Sequence, residues 1–545
     1  MSTMVGRPSG GGRHRADGPR ARRADVKARR ASVVAVGGQA LDGVFDSTDV
    51  LPLPGASADS GGAVDAGATE LGGKVRRGLV VSLLNTLIGR AGTIVAGIVL
   101  ARLLVPEDFG VFAVGMVVLA GVLSLNELGV SLALVRWPGD PHRIAPTVTT
   151  ISMVSSGLLY IACYVGAGPF SSALGAPGAT GVVRLLCLSV LIDGLTATPA
   201  QLLTREFRQG SRLVVDLTTF ALSTGLTLGL AAAGAGAWSL AWGRLVGNLV
   251  GGVLLFCFVR SWPRLGFERG LARELLAFGL PLAGASLMLF TMLNVDYIVV
   301  GSMLGPIALG FYLLAFNLSS WPVNVFSVSV RRVSLAAFSR LQDRPADLAA
   351  ALSRSVTLLS AVTLPVCALL GLLAEPLVTT IYGQRWEPAA AALRWLAVLG
   401  LVRVLTELLY DYLVAVGRSR STLVLQGLWT GLLLIALPIG AATGRIGAVA
   451  LGHALVGALI VLPAYGFAVV RLGTPARLLL APLVRPLVGT ALLGAAVLGV
   501  RATTEPGFVQ LVLAGTAALA AYLPFAMPLR HLLRTPAEEP AVVLA

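Results

Sequence analysis

Two long apolar segments, residues 79–104 and 109–135, are joined by a short acidic turn that contains Pro106. The first segment has 26 residues, which is enough to cross a bilayer with some tilt. Segments of this length, interrupted only by a proline-marked turn, indicate two membrane-spanning helices. The pattern therefore predicts a transmembrane helical hairpin, and the rest of the fold has to accommodate it.

The first predicted span carries a charged residue near its centre. Arg90 lies 12 residues from both Gly78 and Arg102, which is about 18 Å along a helix. An arginine at that depth must face protein or a water-filled cavity. Its neighbours on the same helix face are polar or small: Ser82, Asn85, Thr86, Gly89 and Thr93.

Composition excludes a soluble protein of this length. Of the 545 residues, 56% are hydrophobic and only 13% are charged, and the mean hydropathy is +0.82. A soluble protein carries about 25% charged residues. The net charge of +15 comes mostly from arginines in the N-terminal segment and in alternate loops, which indicates membrane topology and not nucleic-acid binding. We therefore predict a polytopic membrane protein without a nucleic-acid partner.

The sequence predicts an all-α membrane protein of about fourteen transmembrane helices, in two pseudo-symmetric six-helix lobes plus two C-terminal helices. After the hairpin, the spans are predicted near residues 145–166, 178–198, 212–234, 236–259, 273–300, 306–330, 353–373, 388–416, 421–440, 445–470, 484–500 and 507–528. The predicted divisions are a disordered basic tail (1–73), the first lobe (74–260), the second lobe (261–471), helices thirteen and fourteen (472–529) and a cytoplasmic C-terminal tail (530–545).

Two alternatives stay open for the N-terminal tail, residues 1–73. Its Arg, Gly, Pro and Ala content cannot bury a core, so we predict disorder. Its basic residues can bind anionic membrane lipid. The tail can equally be an extension that results from a misplaced start site.

Arginine positions support the helix count and predict the orientation. With the N-terminus in the cytoplasm, the inside loops carry 19 arginines and the outside loops only three. Cytoplasmic loops are enriched in lysine and arginine, and one missed helix would destroy this alternation. We predict that both termini are cytoplasmic.

An internal repeat relates the two predicted lobes. Pro106 and Gly110 align with Pro306 and Gly310 at an offset of 200 residues, and each pair marks a tight turn between two spans. Both six-helix units begin on the cytoplasmic side, so the repeats are parallel and related by an axis along the membrane normal. This arrangement predicts a cleft between two lobes that alternately opens to each side.

The sequence around the first turn resembles a known transporter family. Residues 100–110, LARLLVPEDFG, are similar to the first-loop signature of lipopolysaccharide and exopolysaccharide flippases. Residues 294–301 (NVDYIVVG) with 309–312 (LGFY) are similar to the seventh and eighth spans of that family, and residues 338–343 (FSRLQD) to the following loop. The family is the polysaccharide-transporter branch of the multidrug/oligosaccharidyl-lipid/polysaccharide (MOP) exporter superfamily.

The resemblance implies a function for the chain. It implies translocation of a polyprenyl-pyrophosphate-linked oligosaccharide from the inner to the outer face of a bacterial plasma membrane, for surface polysaccharide biosynthesis. The expected partners are this lipid-linked substrate, membrane lipid, and a polysaccharide polymerase with chain-length machinery.

Polar and cationic side chains within the predicted spans are the candidate cleft residues. Arg244 and Asn248 lie one turn apart on the sixth span; the alternative for Arg244 is a structural pair with a carboxylate. Asn317 and Asn324 belong to a polar stripe on the eighth span; the alternative is hydrogen bonding between helices. The predicted cleft comprises Arg90, Asn85, Arg244, Asn248, Asn317 and Asn324.

Three carboxylates in or near the spans are candidates for binding a coupling proton or sodium ion: Glu127, Asp193 and Asp296. The alternative for each is an ion pair or a position at the membrane interface. Arg403 and Glu407, four residues apart on the tenth span, most simply form a self-neutralising pair.

The sequence predicts no metal site, cofactor or catalytic residue. The four cysteines fall in apolar spans, where we interpret them as small apolar filler, with redox or metal binding as the alternative. The four histidines lack metal-ligand spacing, and the sequence contains no P-loop, GxGxxG, HExxH or GxSxG motif.

Two other functions compete with the flippase hypothesis. A multidrug exporter for cations would have unpaired carboxylates in its cleft, whereas the deepest predicted charge is Arg90. A membrane glycosyltransferase, polymerase or ligase would need a sizeable outer loop with catalytic groups, and the longest predicted outer loop, residues 374–388, has only 15 residues.

Overall fold

The computed structural model describes residue 89 and residues 92–126, 130–131, 133–136, 140–205, 209–259, 264–323, 334 and 337–528. The predicted tails, residues 1–73 and 530–545, lie outside these residues. Every regular segment in the described part of the chain is helical. The predicted all-α class is confirmed.

The described helices are mostly apolar, and many of them are separated by only a few residues. In order they are α1 (Gly92–Leu103), α2 (Pro106–Asn126), α3 (Ala133–Arg136), α4 (Pro141–Ala173), α5 (Thr180–Arg205), α6 (Gln209–Ala232), α7 (Ala237–Val259), α8 (Arg269–Ser319), α9 (Pro345–Leu372), α10 (Ala374–Tyr382), α11 (Ala389–Ala415), α12 (Ser419–Ala441), α13 (Ile446–Leu455), α14 (Leu462–Val470), α15 (Ala476–Thr503) and α16 (Phe508–Ala526). A π-helical turn, Val456–Val461, joins α13 to α14 in one continuous rod.

Twelve helices of the described chain are long and apolar enough to cross a membrane, which confirms a multi-pass membrane protein. One of them, α8, has 51 residues and is divided at Gly305, whose φ of 83° and ψ of 177° are not helical. Glycine adopts this left-handed φ without the strain that a Cβ would add. The two arms of α8, residues 269–304 and 306–319, meet at the turn that the sequence predicts between spans seven and eight. The count of fourteen spans and their division into lobes stay predictions.

The two proline turns that are 200 residues apart pack against each other. A Cβ on Gly110 would overlap the carbonyl oxygen of Pro306, and a Cβ on Gly310 would overlap the carbonyl oxygen of Pro106. Only glycine at both positions lets the backbones of α2 and α8 approach this closely. The contact is reciprocal, as expected for two related segments that face each other.

Polar contacts near these turns join the end of α1 to the residues that follow α10. The Arg385 guanidinium donates to the carbonyl oxygens of Leu104 (3.2 Å) and Arg102 (3.1 Å), and the Trp386 indole N–H donates to Ala101 (2.8 Å). The carbonyls of Ala101 and Arg102 lie in the last turn of α1, and that of Leu104 lies just beyond it. The last carbonyls of a helix have no N–H donor within the helix. Side chains more than 280 positions further along the chain therefore cap α1.

A second arginine caps α10 in the same way. Arg102, in the last turn of α1, donates from Nε to the carbonyl oxygen of Ile381 at 2.8 Å and from Nη2 to that of Thr380. Both carbonyls lie in the last turn of α10. We call this mutual arrangement of Arg102, Arg385 and Trp386 the capping contact.

The structure corrects one interpretation of the cysteines. Cys163 of α4 and Cys187 of α5 form a disulfide, and both residues are buried. For this pair the interpretation as apolar filler is wrong, because their spans pack side by side and bring the two thiols together. Cys257 and Cys367 are free.

Candidate functional site

The structure describes five of the nine predicted site residues. Arg90, Asn85, Glu127 and Asn324 lie outside the described residues. The other five fall in two places: Arg244, Asn248 and Asp193 in the first half of the chain, and Asp296 and Asn317 on the two arms of α8.

Asp296 is a buried carboxylate on the first arm of α8. It is 1% exposed and lies nine residues before Gly305, or about 14 Å along the helix. Its Oδ1 accepts the backbone N–H of Tyr297 at 2.9 Å, and its Oδ2 accepts the hydroxyl of Tyr312 at 3.3 Å. Because Tyr312 belongs to the second arm, this hydrogen bond joins the arms across the turn.

Arg403 supplies the opposite charge. It acts electrostatically on Asp296, and its guanidinium carbon lies 5.6 Å from the centre of the Phe316 ring, within range of a cation–π interaction. Arg403 belongs to α11, the most buried of the twelve candidate spans in the described part of the chain. A largely buried helix therefore places the arginine near Asp296. Its predicted pairing with Glu407 stays a prediction.

A small cavity is lined by Asp296 and Arg403 together with Trp429 and His453. Its volume is about 40 Å³, room for about two to four waters at roughly 10–15 Å³ each. The Trp429 Nε1 and the His453 Nδ1 are buried and have no hydrogen-bond partner among the described residues. The cavity is lined by Met292, Leu293, Asp296, Phe316, Arg403, Trp429, Leu433 and His453.

Sequence reasoning missed Trp429 and His453. It treated the histidines only as possible metal ligands. A different signal was available, because His453, Arg403 and Asp296 are all ionisable residues inside predicted spans, where such residues mark functional sites. The π-helical turn Val456–Val461 begins three residues after His453, and π-turns often occur at functional sites.

A second grouping lies in the first half of the chain. Arg244 of α7 has a buried Nε without a hydrogen-bond partner among the described residues, and Asp193 of α5 acts on it electrostatically. Arg244, Asn248 and Gly252 are spaced four residues apart and form a stripe along α7. A Cβ on Gly252 would lie 2.9 Å from the side chain of Thr196 in α5. The stripe therefore faces α5.

The structure does not bring all predicted cleft residues together. Arg244 and Asp193 are not among the residues that line the cavity beside Asp296. Asn317 is exposed on the second arm of α8, and Asn248 is partly buried. The cleft assignments of these residues stay predictions.

Comparison of sequences identifies relatives in polysaccharide biosynthesis. The chain is 25% identical over 366 residues to the lipopolysaccharide biosynthesis protein WzxC of Escherichia coli, covering 66% of this chain and 73% of that protein. It is 22% identical over 295 residues to the teichuronic acid biosynthesis protein TuaB of Bacillus subtilis. That second match covers 54% of this chain and 61% of the relative, so the chain spans less than two thirds of its length.

Solved structures show the same fold. The lipid II flippase MurJ in an inward closed conformation superposes with a TM-score of 0.66 at 15% identity, covering 84% of this chain and 100% of that one. An inward-facing multidrug resistance MATE family transporter of the MOP superfamily superposes with a TM-score of 0.52 at 16% identity, covering 84% and 99%. Residues 99–391 match the family described as polysaccharide biosynthesis protein. This match covers more than half of the chain, and the chain therefore belongs to the polysaccharide biosynthesis protein family of membrane transporters.

Proposed function

We propose that the protein translocates a polyprenyl-pyrophosphate-linked oligosaccharide across a bacterial plasma membrane, from the cytoplasmic to the outer face, for assembly of a surface polysaccharide. The match of residues 99–391 to the polysaccharide biosynthesis family carries this proposal. The relatives named for lipopolysaccharide and teichuronic acid biosynthesis, and the fold shared with a lipid II flippase, support it. The protein is a transporter and not an enzyme in this proposal.

The physical chemistry of such a cargo fits cationic groups within the membrane. A lipid anchor cannot pull a hydrated sugar and a pyrophosphate through hydrocarbon unaided, because desolvating charged groups is strongly unfavourable. Arg244, with its buried Nε, is the described arginine best suited to offset that charge. Arg90 would contribute a second positive charge. Both termini face the cytoplasm in this proposal.

Alternating access is the proposed mechanism. The capping contact and the α2–α8 turn contact close one end of the molecule, the end predicted to face outward. Release of cargo to the outside then requires these contacts to separate. A polymerase and chain-length machinery would receive the cargo at the outer face.

The test is reconstitution into liposomes with two cargoes. The first is a polyprenyl-pyrophosphate oligosaccharide with a fluorophore on its sugar, and the second is a lipophilic cationic dye of the kind that multidrug exporters carry. Movement of the labelled sugar between leaflets is read from its protection against a membrane-impermeant quencher. We expect protein-dependent movement of the lipid-linked sugar and none of the dye; the reverse result would establish the multidrug function.

The same vesicles test the absence of enzymatic activity. The lipid-linked sugar recovered after the assay should have its original mass. A hydrolysed or extended product would contradict a purely transporting role.

A further inference from the structure

Arg184 is an arginine near the start of α5 whose charge is not neutralised by a carboxylate. It lies four residues after Thr180, the first residue of α5, which is about 6 Å along the helix axis. Within the described chain its guanidinium makes one hydrogen bond, from Nε to the carbonyl oxygen of Tyr164 at 3.2 Å, and no ion pair. A guanidinium has five N–H groups, so four of them are left for an acceptor outside the described chain.

Aromatic rings of α4 fix the position of this guanidinium. Its carbon lies 4.5 Å from the ring centre of Tyr164, within range of a cation–π interaction. The ring of Tyr160, one turn earlier on α4, lies 6.0 Å from that of Tyr164. Tyr164 itself is 45% exposed. The charge is therefore held at the surface between α4 and α5 by a ring and a backbone carbonyl.

A third helix adds a tryptophan to this surface. Trp238, the second residue of α7, lies over Gly181 of α5, where a Cβ would be 2.9 Å from the indole ring. Gly181 precedes Arg184 by three residues, so both lie on the same side of α5. Trp238 is 44% exposed. Tyrosine and tryptophan are enriched where the hydrocarbon of a membrane meets its headgroups, which is where a residue near the end of a spanning helix lies.

An exposed apolar stripe runs along α4 from the level of Tyr164 toward the other end of the helix. Its four residues are each between 57% and 71% exposed: Val154, Leu158, Ile161 and Val165. Their spacing of four, three and four residues places them on one face of α4. The stripe covers eleven residue steps, or about 16 Å. A spanning helix with such a face presents it to acyl chains, and here the face begins next to a cation.

We propose that Arg184, flanked by Tyr164 and Trp238, binds the phosphate headgroup of an anionic phospholipid whose acyl chain lies along the stripe of α4. A guanidinium forms paired, charge-assisted hydrogen bonds with phosphate oxygens. The positive charge favours a lipid with a net negative charge over a zwitterionic one, because the ammonium group of a zwitterionic lipid opposes it. The turn between α4 and α5 is predicted to face outward, so the lipid belongs to the outer leaflet.

The structural alternative gives Arg184 only the task of joining α4 to α5. A hydrogen bond from Nε to the Tyr164 carbonyl requires an N–H donor and no charge. Glutamine supplies such a donor, so a purely structural arginine can be replaced by glutamine without changing which lipids the protein retains. A lipid-binding arginine cannot, because the phosphate needs the positive charge.

The first experiment measures which lipids the purified protein retains. The protein in detergent is mixed with equal amounts of phosphatidylglycerol and phosphatidylcholine, and bound lipid is counted by native mass spectrometry. We expect a several-fold preference of wild type for phosphatidylglycerol and loss of that preference in Arg184→Gln. Arg184→Lys should keep a weaker preference, because lysine retains the charge without the planar fork. Tyr164→Leu, which leaves the carbonyl acceptor of Arg184 in place, should also weaken it.

A second arginine serves as the matched control. Arg445 is exposed just before α13, on the side also predicted to face outward, and has no ion pair or ring contact among the described residues. Arg445→Gln should retain lipid as wild type does. Equal preference in wild type and Arg184→Gln, or an equal loss in Arg445→Gln, would overturn the site. Excess glycerol phosphate should not displace the lipid; displacement would show an anion site that needs no acyl chain and would contradict the proposal.

The second experiment locates the acyl chain. The protein is placed in lipid nanodiscs that contain phosphatidylglycerol or phosphatidylcholine with a photoreactive acyl chain, and the labelled peptides are identified by mass spectrometry after illumination. We expect phosphatidylglycerol to label residues 154–165 several-fold more than phosphatidylcholine does, and this excess should disappear in Arg184→Gln. Equal labelling by the two lipids in wild type would contradict the proposal. Neither experiment involves movement of cargo, so both results are independent of the transport function.

Discussion

Arg385 caps the helix that carries Arg102, and Arg102 caps the helix that ends just before Arg385. Arg385 donates to the backbone carbonyl of Arg102 at 3.1 Å, and the Arg102 side chain donates to the last turn of α10, just before Arg385. Trp386, the next residue, packs edge-on against Phe109 and Phe311, with ring centres 5.1 and 6.0 Å away. The contact therefore joins α1, α2, the second arm of α8 and α10 at one end of the molecule.

Removing one arginine should loosen this end. Arg385→Ala deletes two hydrogen bonds from a charged donor, and we expect a loss of about 1 kcal/mol because the site is partly solvated. That changes the ratio of open to closed molecules by about five-fold. Spin labels at Glu107 and Glu387, both exposed, should report a larger population of long distances.

A matched control uses another arginine. Arg184 lies 4.5 Å from the ring centre of Tyr164 and donates to the carbonyl oxygen of that residue, so its contact stays between α4 and α5. Arg184→Ala should leave the distance distribution between the labels unchanged. Equal distributions in Arg385→Ala and wild type would show that the capping contact does not hold this end closed.

The glycine contact between α2 and α8 should not tolerate a side chain. Gly110→Val places atoms where the Pro306 carbonyl lies, so we expect destabilisation of about 1–3 kcal/mol and a lower thermal unfolding temperature in detergent. The control is Gly157→Ala in α4, where a Cβ meets no atom within 4 Å. A Gly110→Val protein as stable as the control would mean that the helices separate at no cost.

Some of this architecture could be predicted from sequence and some could not. Run length and the turns at Pro106 and Pro306 predict spans and their ends, because these depend on local residues. The caps from Arg385 could not be predicted, since its acceptors lie 281 and 283 positions away and are backbone atoms that carry no residue signature. Trp429 and His453 come from two separate helices, and only packing places them beside Asp296.

The disulfide predicts a specific thiol count. With Cys163 joined to Cys187, the denatured protein should react with two equivalents of an alkylating reagent without reductant and with four after reduction. Mass spectrometry of the intact protein measures both values. Four reactive thiols in protein that has never been reduced would show that the pair does not form in the cell.

The orientation can be tested at two turns. The excess of arginines in alternate loops predicts that Gly305 faces outward and that Arg344, which precedes α9, faces the cytoplasm. A reporter enzyme that is active only outside the membrane should give signal when fused at Gly305 and none at Arg344. The opposite pattern would invert the topology, and with it the side on which the capping contact lies.

Arg244 separates a cargo-binding role from a structural one. Its Nε is buried without a hydrogen-bond partner among the described residues, and an arginine in a span is unfavourable by about 2.5–3.5 kcal/mol on insertion scales. The charge of Asp193 offsets part of this, so the structural alternative is a buried pair.

If Arg244 binds the pyrophosphate, Arg244→Lys should weaken transport because lysine lacks the planar fork, while Arg244→Ala should abolish transport in a protein that still folds. If the arginine is structural, Arg244→Ala should instead be unstable and should recover stability when combined with Asp193→Asn. Thermal stability and transport are measured for Arg244→Lys, Arg244→Ala and Arg244→Ala with Asp193→Asn. If the arginine binds cargo, Arg244→Ala is stable and inactive, with or without the second substitution. If it is structural, Arg244→Ala is unstable and only the double variant is stable.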